Sequence, residues 1–443
     1  MILSEIINII DGRLICGNLN KKINSVKIDS RKIDKDDTFI GINSGNNFYL
    51  DALNNGASII ILDNEELITK KEGTIIVVKD SIKALQDIAR YKIAKLNIPV
   101  IAVTGSVGKT TTKDLIYNVL KNKYKILKTN KNYNGQIGLP LTVLSYKDEE
   151  ILLVEMGMNE KGGIDKLSSI VKPDISVITN IGTSHIGNLG SRKNIMNAKF
   201  EILNHMKENS TLIINNDDSL LHKKIKKLKK YNIITYGIKN KSNYNAYDIK
   251  LEENKTIYYL NNKKYEIPLV GLSSVYNSLV SIIIGKLFNL KKIKFSNLLI
   301  TSNRLEIINK NNIKIIDDSY NASYESVLNA LNTLNIVSKD RKIVVLGDIL
   351  ELGKYSKKIH EEIGKNIKDI DILITVGKYS KYIYNKAMIK NKYHFNTNED
   401  AINKLKEIIK EKDTILVKAS HSMNFKEIVN YLLSYDIIFD KAS

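Results

Sequence analysis

The chain has 443 residues, more than one hydrophobic core usually serves, so its length predicts about three domains. Apolar residues form 43% of it without a run long enough to cross a membrane, Cys16 is the only cysteine, and no secretory signal is evident, which predicts a cytoplasmic protein. The net charge is +20, but the lysines are scattered and not interleaved with aromatic residues, which favours anionic small molecules over nucleic acid.

The first 80 residues alternate short apolar segments with turns, which predicts a small α/β module. Its predicted strands are 13–17, 26–29, 38–41, 57–62 and 74–78. Residues 81–96 then have apolar residues at helical spacing. This predicted helix leads directly into the next motif.

Residues 100–104 are an apolar, β-branched segment that predicts a buried parallel strand. A glycine loop follows, and after it a segment with helical spacing. The loop residues are Gly105, Ser106, Val107, Gly108, Lys109, Thr110 and Thr111. A strand, glycine loop and helix N-terminus in this order predict a phosphate cradle in which the lysine reaches the outer phosphates and the first threonine binds Mg²⁺. Val103 stands where the common pattern has glycine, so this loop is a shorter form.

Polar residues follow the next predicted strands of this parallel sheet. Glu155 ends the strand 151–155, and His185 follows the strand 175–179 in a loop with glycine. Because ligands bind at the carboxyl ends of parallel strands, both are candidate metal ligands. Glu155 could equally be a solvated acid at a strand end, and His185 a surface histidine. The segment 132–140, which contains Asn134, is either a turn or part of the site.

A third block of alternating strands and helices begins near residue 303, with predicted strands at 313–317, 342–347, 372–377 and 414–418. This pattern predicts a second doubly wound unit. Arg304 opens the block, where an arginine can pair with a phosphate. Asp318 follows the first strand, where an acid can accept a hydrogen bond from a ribose hydroxyl. A helix cap explains the acid equally well. The basic run 223–230 predicts the solvated face of one helix.

Taken together, these motifs resemble those of the Mur ligase family over essentially the whole chain. The matching elements are 105–111, 132–140, Glu155, 179–185, Lys199, Asn277, Arg304 and Asp318. Within the family, the segments 28–31, 317–322 and 347–353 resemble the members that add D-alanyl-D-alanine to UDP-N-acetylmuramoyl-tripeptide.

The resemblance implies an α/β fold with three domains. These are a small N-terminal α/β domain that binds the UDP substrate (1–80), a central P-loop parallel-sheet ATPase domain (81–302) and a C-terminal Rossmann-like domain (303–443). It also implies an ADP-forming ligase that activates the tripeptide carboxylate as an acyl phosphate and acts in peptidoglycan precursor synthesis. The expected cofactors are ATP and Mg²⁺. We expect the protein to be a monomer and not to bind nucleic acid.

The same resemblance implies roles for individual residues. The expected nucleotide-binding residues are Gly105, Ser106, Gly108, Lys109, Thr110, Thr111, Asn277, Arg304 and Asp318. The expected metal ligands are Thr110, Glu155, His185 and Lys199, the last as a carbamate, and the expected catalytic residues are Lys109, Lys199 and His185. The expected substrate-binding residues are Ser30, Arg31, Asn134, Tyr320 and Asn321.

Two other functions fit parts of the sequence. The first is a different amide ligase of the same superfamily, which adds a single amino acid. The second is a P-loop ATPase stimulated by nucleic acid, which only the net charge of +20 favours. Salt-sensitive binding to DNA or RNA would support the second.

Overall fold

A computed structural model describes residues 1–130, 132–228, 230–301, 304–310 and 312–434. Within these ranges the strands form four sheets, and each sheet is built from a continuous stretch of the chain. The predicted boundary between the second and third domains, at residues 302 and 303, lies outside the described residues, as does the segment after 434.

The N-terminal unit is a five-stranded sheet with two short helices. The strands are β1 (Arg13–Cys16), β2 (Val26–Lys27), β3 (Thr38–Ile40), β4 (Ile59–Leu62) and β5 (Thr74–Val77), and the helices are α1 (Leu3–Ile6) and α2 (Tyr49–Asn54). The strand order is β1-β5-β4-β3-β2, with β1 antiparallel to β5 and the other pairs parallel. All five predicted strands are confirmed.

The central unit is built on a parallel sheet of seven strands in the order β12-β11-β10-β9-β6-β8-β7. The strands are β6 (Val100–Thr104), β7 (Ile126–Lys128), β8 (Ile151–Glu155), β9 (Ile175–Ile178), β10 (Thr211–Asn215), β11 (Asn232–Gly237) and β12 (Tyr244–Asn245). Strands β7 and β8, which follow β6 in the chain, lie on one side of it, and strands β10 to β12, which follow β9, lie on the other side of the sheet. The carboxyl ends of these two strands therefore form the topological switch point where such sheets bind ligands.

Eight helices accompany this sheet within the described residues. They are α3 (Ser81–Ala94), α4 (Lys109–Leu120), α5 (Gly138–Leu144), α6 (Gly163–Val171), α7 (Ile186–Leu189), α8 (Arg192–Phe200), α9 (Ser219–Ile225) and α10 (Leu272–Leu287). Alternate residues of β6 enter different cores: Val100 and Ala102 belong to the core that includes α3 and α6, and Ile101 and Val103 to the core with α4 and α10. The sheet is thus covered on both faces, which explains the uninterrupted apolar sequence of its strands.

An antiparallel three-stranded sheet interrupts this pattern, whereas the sequence predicts alternating strands and helices up to about residue 300. Its strands are β13 (Tyr247–Leu251), β14 (Thr256–Leu260) and β15 (Lys263–Ile267). The basic run 223–230 also differs from the prediction, because α9 ends at Ile225. A helix that ends there cannot present the whole run on one face, and Lys229 lies outside the described residues.

The C-terminal unit is a six-stranded sheet in the order β16-β17-β21-β18-β19-β20, with only β16 antiparallel to its neighbour. The strands are β16 (Glu306–Lys310), β17 (Ile313–Asp317), β18 (Lys342–Gly347), β19 (Ile372–Val376), β20 (Asn391–Phe395) and β21 (Thr414–Lys418). The helices are α11 (Tyr324–Val337), α12 (Ser356–Asn366), α13 (Ser380–Lys386), α14 (Asn398–Ile408) and α15 (Lys426–Ser434). No helix among the described residues has the length and apolar content that a membrane crossing requires.

Candidate active site

The glycine loop joins β6 to α4 and needs its glycines for two separate reasons. Gly108 precedes the first residue of α4 with a φ of 86°, in the left-handed region that side chains disfavour. Gly105 has a φ of 152°, and a Cβ there would lie 1.8 Å from Oγ1 of Thr179. Since Thr179 follows the neighbouring strand β9, the loop and that strand end are packed too closely for a side chain at Gly105.

The loop is also held by hydrogen bonds from the end of β9. The carbonyl of Val107 accepts from Oγ1 of Thr179 at 2.7 Å and from Nδ2 of Asn180 at 2.9 Å. The Val107 N–H donates in turn to Oδ1 of Asn180 at 2.9 Å, and Oγ of Ser106 accepts from the Gly182 N–H at 2.8 Å. These contacts hold the loop in one shape.

Lys109 is the first residue of α4, and its Nζ donates to the Gly105 carbonyl at 2.9 Å. Burial lowers the pKa of the Lys109 amine. The negative charge of Glu155 opposes this lowering, and the positive charge of Arg304 lowers the pKa further. The amine thus lies against its own loop, at the position from which it can reach an incoming anion.

Glu155 is 2% exposed and ends β8 directly beside the first turn of α4. Its Oε2 accepts from Oγ1 of Thr110 at 2.7 Å, and its Oε1 accepts from Nδ2 of Asn134 at 2.7 Å. The structure therefore joins three predicted site residues from separate segments. Hydroxyl, amide and carboxylate oxygens are the donors that Mg²⁺ prefers.

Asn277 lies on α10 and contacts the same loop from the other side. Its Oδ1 accepts from Oγ1 of Thr112 at 3.1 Å, and a Cβ on Gly108 would lie 2.9 Å from that oxygen. The predicted nucleotide-binding asparagine is thus placed at the helix N-terminus where phosphates bind.

His185 has a φ of 62° and lies where the central unit meets the C-terminal unit. Its Nδ1 is 2.6 Å from Oε2 of Glu351, and the contact with His185 lowers the pKa of Glu351. The Gly187 N–H donates to the Glu351 carbonyl at 2.9 Å. The predicted metal ligand is therefore paired with a carboxylate from the other unit.

Lys199 lies on α8 and is 3% exposed. Burial lowers the pKa of its amine well below the usual value, and the charge of Lys109 adds to this effect. Among the described residues its amine forms no hydrogen bond and no ion pair. Burial thus favours the neutral form of the amine, which is the nucleophilic form that a carbamate requires.

The C-terminal unit contributes Arg304 and Asp318. The guanidinium of Arg304 stacks over the ring of Tyr320, 4.2 Å from its centre. Asp318 accepts from Nζ of Lys418 at 2.5 Å and from the Leu305 N–H at 3.2 Å, and burial raises the pKa of Asp318 although Lys418 opposes the shift. Lys418 also donates to the Asn321 carbonyl at 2.8 Å.

A cavity of about 560 Å³ lies between the central unit and the C-terminal unit. Twelve predicted site residues line it: Ser106, Gly108, Lys109, Thr111, Asn134, Glu155, His185, Asn277, Arg304, Asp318, Tyr320 and Asn321. Gly105, Thr110 and Lys199 do not line it, although Thr110 bonds the lining carboxylate of Glu155. Loops after strands of two sheets therefore face one space.

Ser30 and Arg31 are not brought to this cavity. They lie in the N-terminal unit, where the Arg31 side chain is 86% exposed and donates to both carboxylate oxygens of Asp29 at 2.9 and 3.0 Å. Ser30 is buried, and its carbonyl accepts from Nδ2 of Asn55 at 3.0 Å. The predicted UDP-binding residues thus form a local cluster of their own.

Sequence reasoning missed Lys418, which lines the cavity and neutralises Asp318. The available signal was a lysine at the end of an apolar strand, β21.

In the 347–353 segment the structure gives the two acidic residues different roles. Asp348 accepts from the Tyr379 and Ser380 N–H groups and supports α13, whereas Glu351 contacts His185.

Comparison with known proteins agrees with this geometry. The Mur ligase middle domain matches residues 103–285, and the Mur ligase glutamate ligase domain matches residues 303–421. The UDP-N-acetylmuramoyl-tripeptide–D-alanyl-D-alanine ligase of Bacillus subtilis is 36% identical over 93% of both chains. The Rickettsia prowazekii protein of the same name is 33% identical over 92% of this chain and 95% of its own.

Two solved structures are similar over most of the chain. MurF from Acinetobacter baumannii has a TM-score of 0.91 at 25% identity and covers 98% of this chain and 99% of its own. MurF ligase from Thermotoga maritima, in complex with ADP, has a TM-score of 0.83 at 29% identity, with 92% and 96% covered. The predicted three-domain α/β architecture is confirmed by these similarities. The chain belongs to the Mur ligase family.

Proposed function

We propose that this ligase joins D-alanyl-D-alanine to the terminal carboxylate of UDP-N-acetylmuramoyl-tripeptide, with ATP converted to ADP and phosphate, in peptidoglycan precursor synthesis. The observation that carries the proposal is a cavity that is lined both by Lys109 of the glycine loop and by Arg304 and Asp318 of the C-terminal unit. The names of the relatives from Bacillus subtilis and Rickettsia prowazekii support the same substrates.

The chemistry explains why the cavity needs these charges. A carboxylate oxygen of the tripeptide attacks the γ-phosphorus of ATP, the bond to ADP breaks, and an acyl phosphate forms. The dipeptide amine then attacks the carbonyl carbon, loses a proton, and inorganic phosphate leaves. Phosphoryl transfer depends on positioning and charge neutralisation, which the cations of Lys109 and Arg304 supply.

Asp318 and Asn277 complete the nucleotide site in this proposal. Asp318 is held by Lys418 at the end of β17, where a carboxylate can accept the ribose hydroxyls. Asn277 contacts the first turn of α4 and orients the nucleotide from the opposite side. The Thermotoga maritima relative was solved in complex with ADP, which supports nucleotide binding by this chain.

The donor set around Glu155 fits Mg²⁺. Thr110 and Glu155 present a hydroxyl and a carboxylate 2.7 Å apart beside the phosphate loop, and Mg²⁺ in proteins usually binds one or two carboxylates together with substrate phosphates. Among the described residues no three His, Cys, Asp or Glu side chains form a metal cluster, and phosphate oxygens and water would supply the remaining ligands of Mg²⁺. Mg²⁺ held there would neutralise charge on the transferred phosphate.

We place a second Mg²⁺ near His185 and Lys199, with Lys199 carbamylated. A carbamate converts the buried amine into a carboxylate-like ligand, and burial of Lys199 favours the neutral amine, the form that reacts with CO₂. His185 would bind the metal through Nε2, with Nδ1 still 2.6 Å from Oε2 of Glu351, because metal-binding histidines usually pair their other ring nitrogen with a carboxylate or a carbonyl.

The remaining roles concern the acceptor substrates. We propose that the N-terminal domain, residues 1–80, binds the UDP group through Ser30 and Arg31. Asn134, Tyr320 and Asn321 line the cavity and would contact the peptide substrates. The boundaries 81–302 and 303–443 for the other domains, and a monomeric state, belong to the same proposal.

Phosphate release tests the proposal. The purified chain is assayed with Mg-ATP, the UDP-tripeptide and D-alanyl-D-alanine, with each omitted in turn and with single amino acids in place of the dipeptide. Release that requires all three supports the ligase, and the amide product is identified by mass spectrometry. Equal release without either acceptor refutes it, and release with a single amino acid favours another superfamily ligase.

A further inference from the structure

The segment that leads into the C-terminal unit is fastened to helix α4. Residues 298–301 form neither helix nor strand. Asn118 of α4 accepts from the Leu299 N–H and donates to the Leu299 carbonyl, both at 2.9 Å. Two residues on, the Thr301 N–H and hydroxyl both donate to Oδ2 of Asp114, at 2.9 and 2.7 Å. Two side chains of one helix thus fix the segment at two points.

Asp114 is completely buried, and its ionised form depends on its partners. Oδ1 lies 2.7 Å from Nζ of Lys113, a lysine that is itself 1% exposed, and 3.4 Å from Nζ of Lys128. Burial alone would raise the pKa of Asp114, but Lys113 and the two bonds from Thr301 hold it below its ordinary value. A charged acceptor makes both bonds to Thr301 stronger than bonds between neutral groups.

The anchor is close along the chain to both halves of the nucleotide site. Lys109 begins α4, so it is about 7.5 Å along the helix axis from Asp114. Arg304 is three residues after Thr301, so its Cα stays within about 11 Å of the anchored Cα of Thr301. A rotation of the C-terminal unit therefore leaves Arg304 near the helix that carries Lys109.

We propose that Asp114 and Asn118 are positioning residues for the ligase reaction, since they clamp residues 299–301 on α4 and so keep Arg304 within reach of the phosphate loop. The inference rests on the proposed function. It assigns to the buried face of α4 a role in phosphoryl transfer, through the placement of Arg304, in addition to its role in the core.

The kinetic test uses the double variant Asn118→Leu, Thr301→Val, which removes three of the four anchor bonds and leaves the Lys113–Asp114 pair in place. The control is Thr397→Val, which loses the hydroxyl cap of α14 and so lowers stability without touching the anchor. We expect kcat to fall about tenfold in the double variant only. The dissociation constant of ADP should rise by a smaller factor than kcat falls, because the phosphate loop and Asn277 are intact and only the contacts from the C-terminal unit are loosened.

A distance measurement tests the anchor independently of activity. Spin labels are placed at the exposed positions Lys166→Cys and Met388→Cys in a Cys16→Ser background, and the distance distribution between them is recorded by pulsed electron paramagnetic resonance. The double variant should broaden the distribution, and Thr397→Val should not.

Three results would overturn the inference: an unchanged kcat in the double variant, an equal fall of kcat in Thr397→Val, or an unchanged distance distribution. A wild-type chain that releases no phosphate with all three substrates refutes the ligase instead. The distance distribution still decides in that case whether the anchor holds the two units.

Discussion

The hydroxyl of Thr110 donates a hydrogen bond of 2.7 Å to Oε2 of Glu155, and both side chains are buried. The bond joins the first turn of α4 to the end of β8, and its two residues are 45 positions apart in the chain. Since Asn134 occupies the other oxygen of the carboxylate, the charge of Glu155 is held in one orientation beside the phosphate loop. This arrangement gives the first prediction.

Glu155→Gln removes the charge and keeps the size of the side chain. We expect kcat for phosphate release to fall about 100-fold, because the neutral amide would hold Mg²⁺ beside the phosphate loop much less well than the carboxylate. Glu149→Gln, two residues before the same strand and outside the cavity, is the control and should keep kcat within about twofold of the wild type. Retention of more than half of the wild-type rate by Glu155→Gln would contradict the proposed role.

Lys199→Ala should abolish activity, and short carboxylates such as formate or acetate should restore part of it, because they can replace a carbamate. Lys193→Ala on the same helix removes an exposed lysine and should have no effect. A ¹³C carbamate signal after incubation with labelled bicarbonate should be present in the wild type and absent in Lys199→Ala. An unmodified amine in the wild type, together with no rescue, would show that Lys199 has another role.

Tyr320 supports Arg304 through its ring. Tyr320→Ala removes the cation–π contact, which contributes about 0.5–2 kcal/mol in proteins, so kcat/KM should fall up to about 30-fold. Tyr320→Phe keeps the ring and should stay within about twofold of the wild type. An equal loss in both variants would mean that the hydroxyl, and not the ring, carries the effect.

His360 is completely buried, and both ring nitrogens have fixed partners in the neutral form. Nε2 accepts from the Ile349 N–H at 3.0 Å, and Nδ1 lies 2.7 Å from the Ser356 carbonyl, to which it donates. Burial lowers the pKa of His360, so the unfolded chain binds this proton more readily than the folded chain. The free energy of unfolding should therefore fall as the pH drops below about 6.5, the ordinary histidine pKa.

The measurement is urea-induced unfolding of the wild type and of His360→Gln between neutral and mildly acidic pH. The difference between their free energies of unfolding should shrink as the pH falls, because Gln binds no proton. A constant difference across this range would show that His360 is not the group that titrates.

The local motifs of the site are readable from the sequence because each rests on short-range geometry. The glycine loop is defined by the left-handed φ of Gly108 and by the apolar strand before it, and both have strong sequence signals. Glu155 could be placed at the end of a strand for the same reason. The antiparallel sheet after β12 was not predicted, since short strands with mixed polar patterns resemble other elements.

The contacts between distant segments could not be predicted in this way. The pairing of Lys418 with Asp318 links positions 100 residues apart, and the contact of His185 with Glu351 crosses from one unit to the other. The local sequence around Lys418 or Glu351 does not name these partners. They depend on the order of strands in the sheets and on how the units pack.

The family, the phosphate loop and the residue types that its chemistry needs can be read from the amino-acid sequence, because they follow from local backbone geometry and charge. Which of those residues meet depends on the folding of distant segments onto one another. That folding places Lys109, Arg304 and Asp318 around one cavity, leaves Arg31 with Asp29 outside it, and binds Thr301 to the buried charge of Asp114. Such contacts arise only when separate segments bury their polar groups together and each group must find a partner.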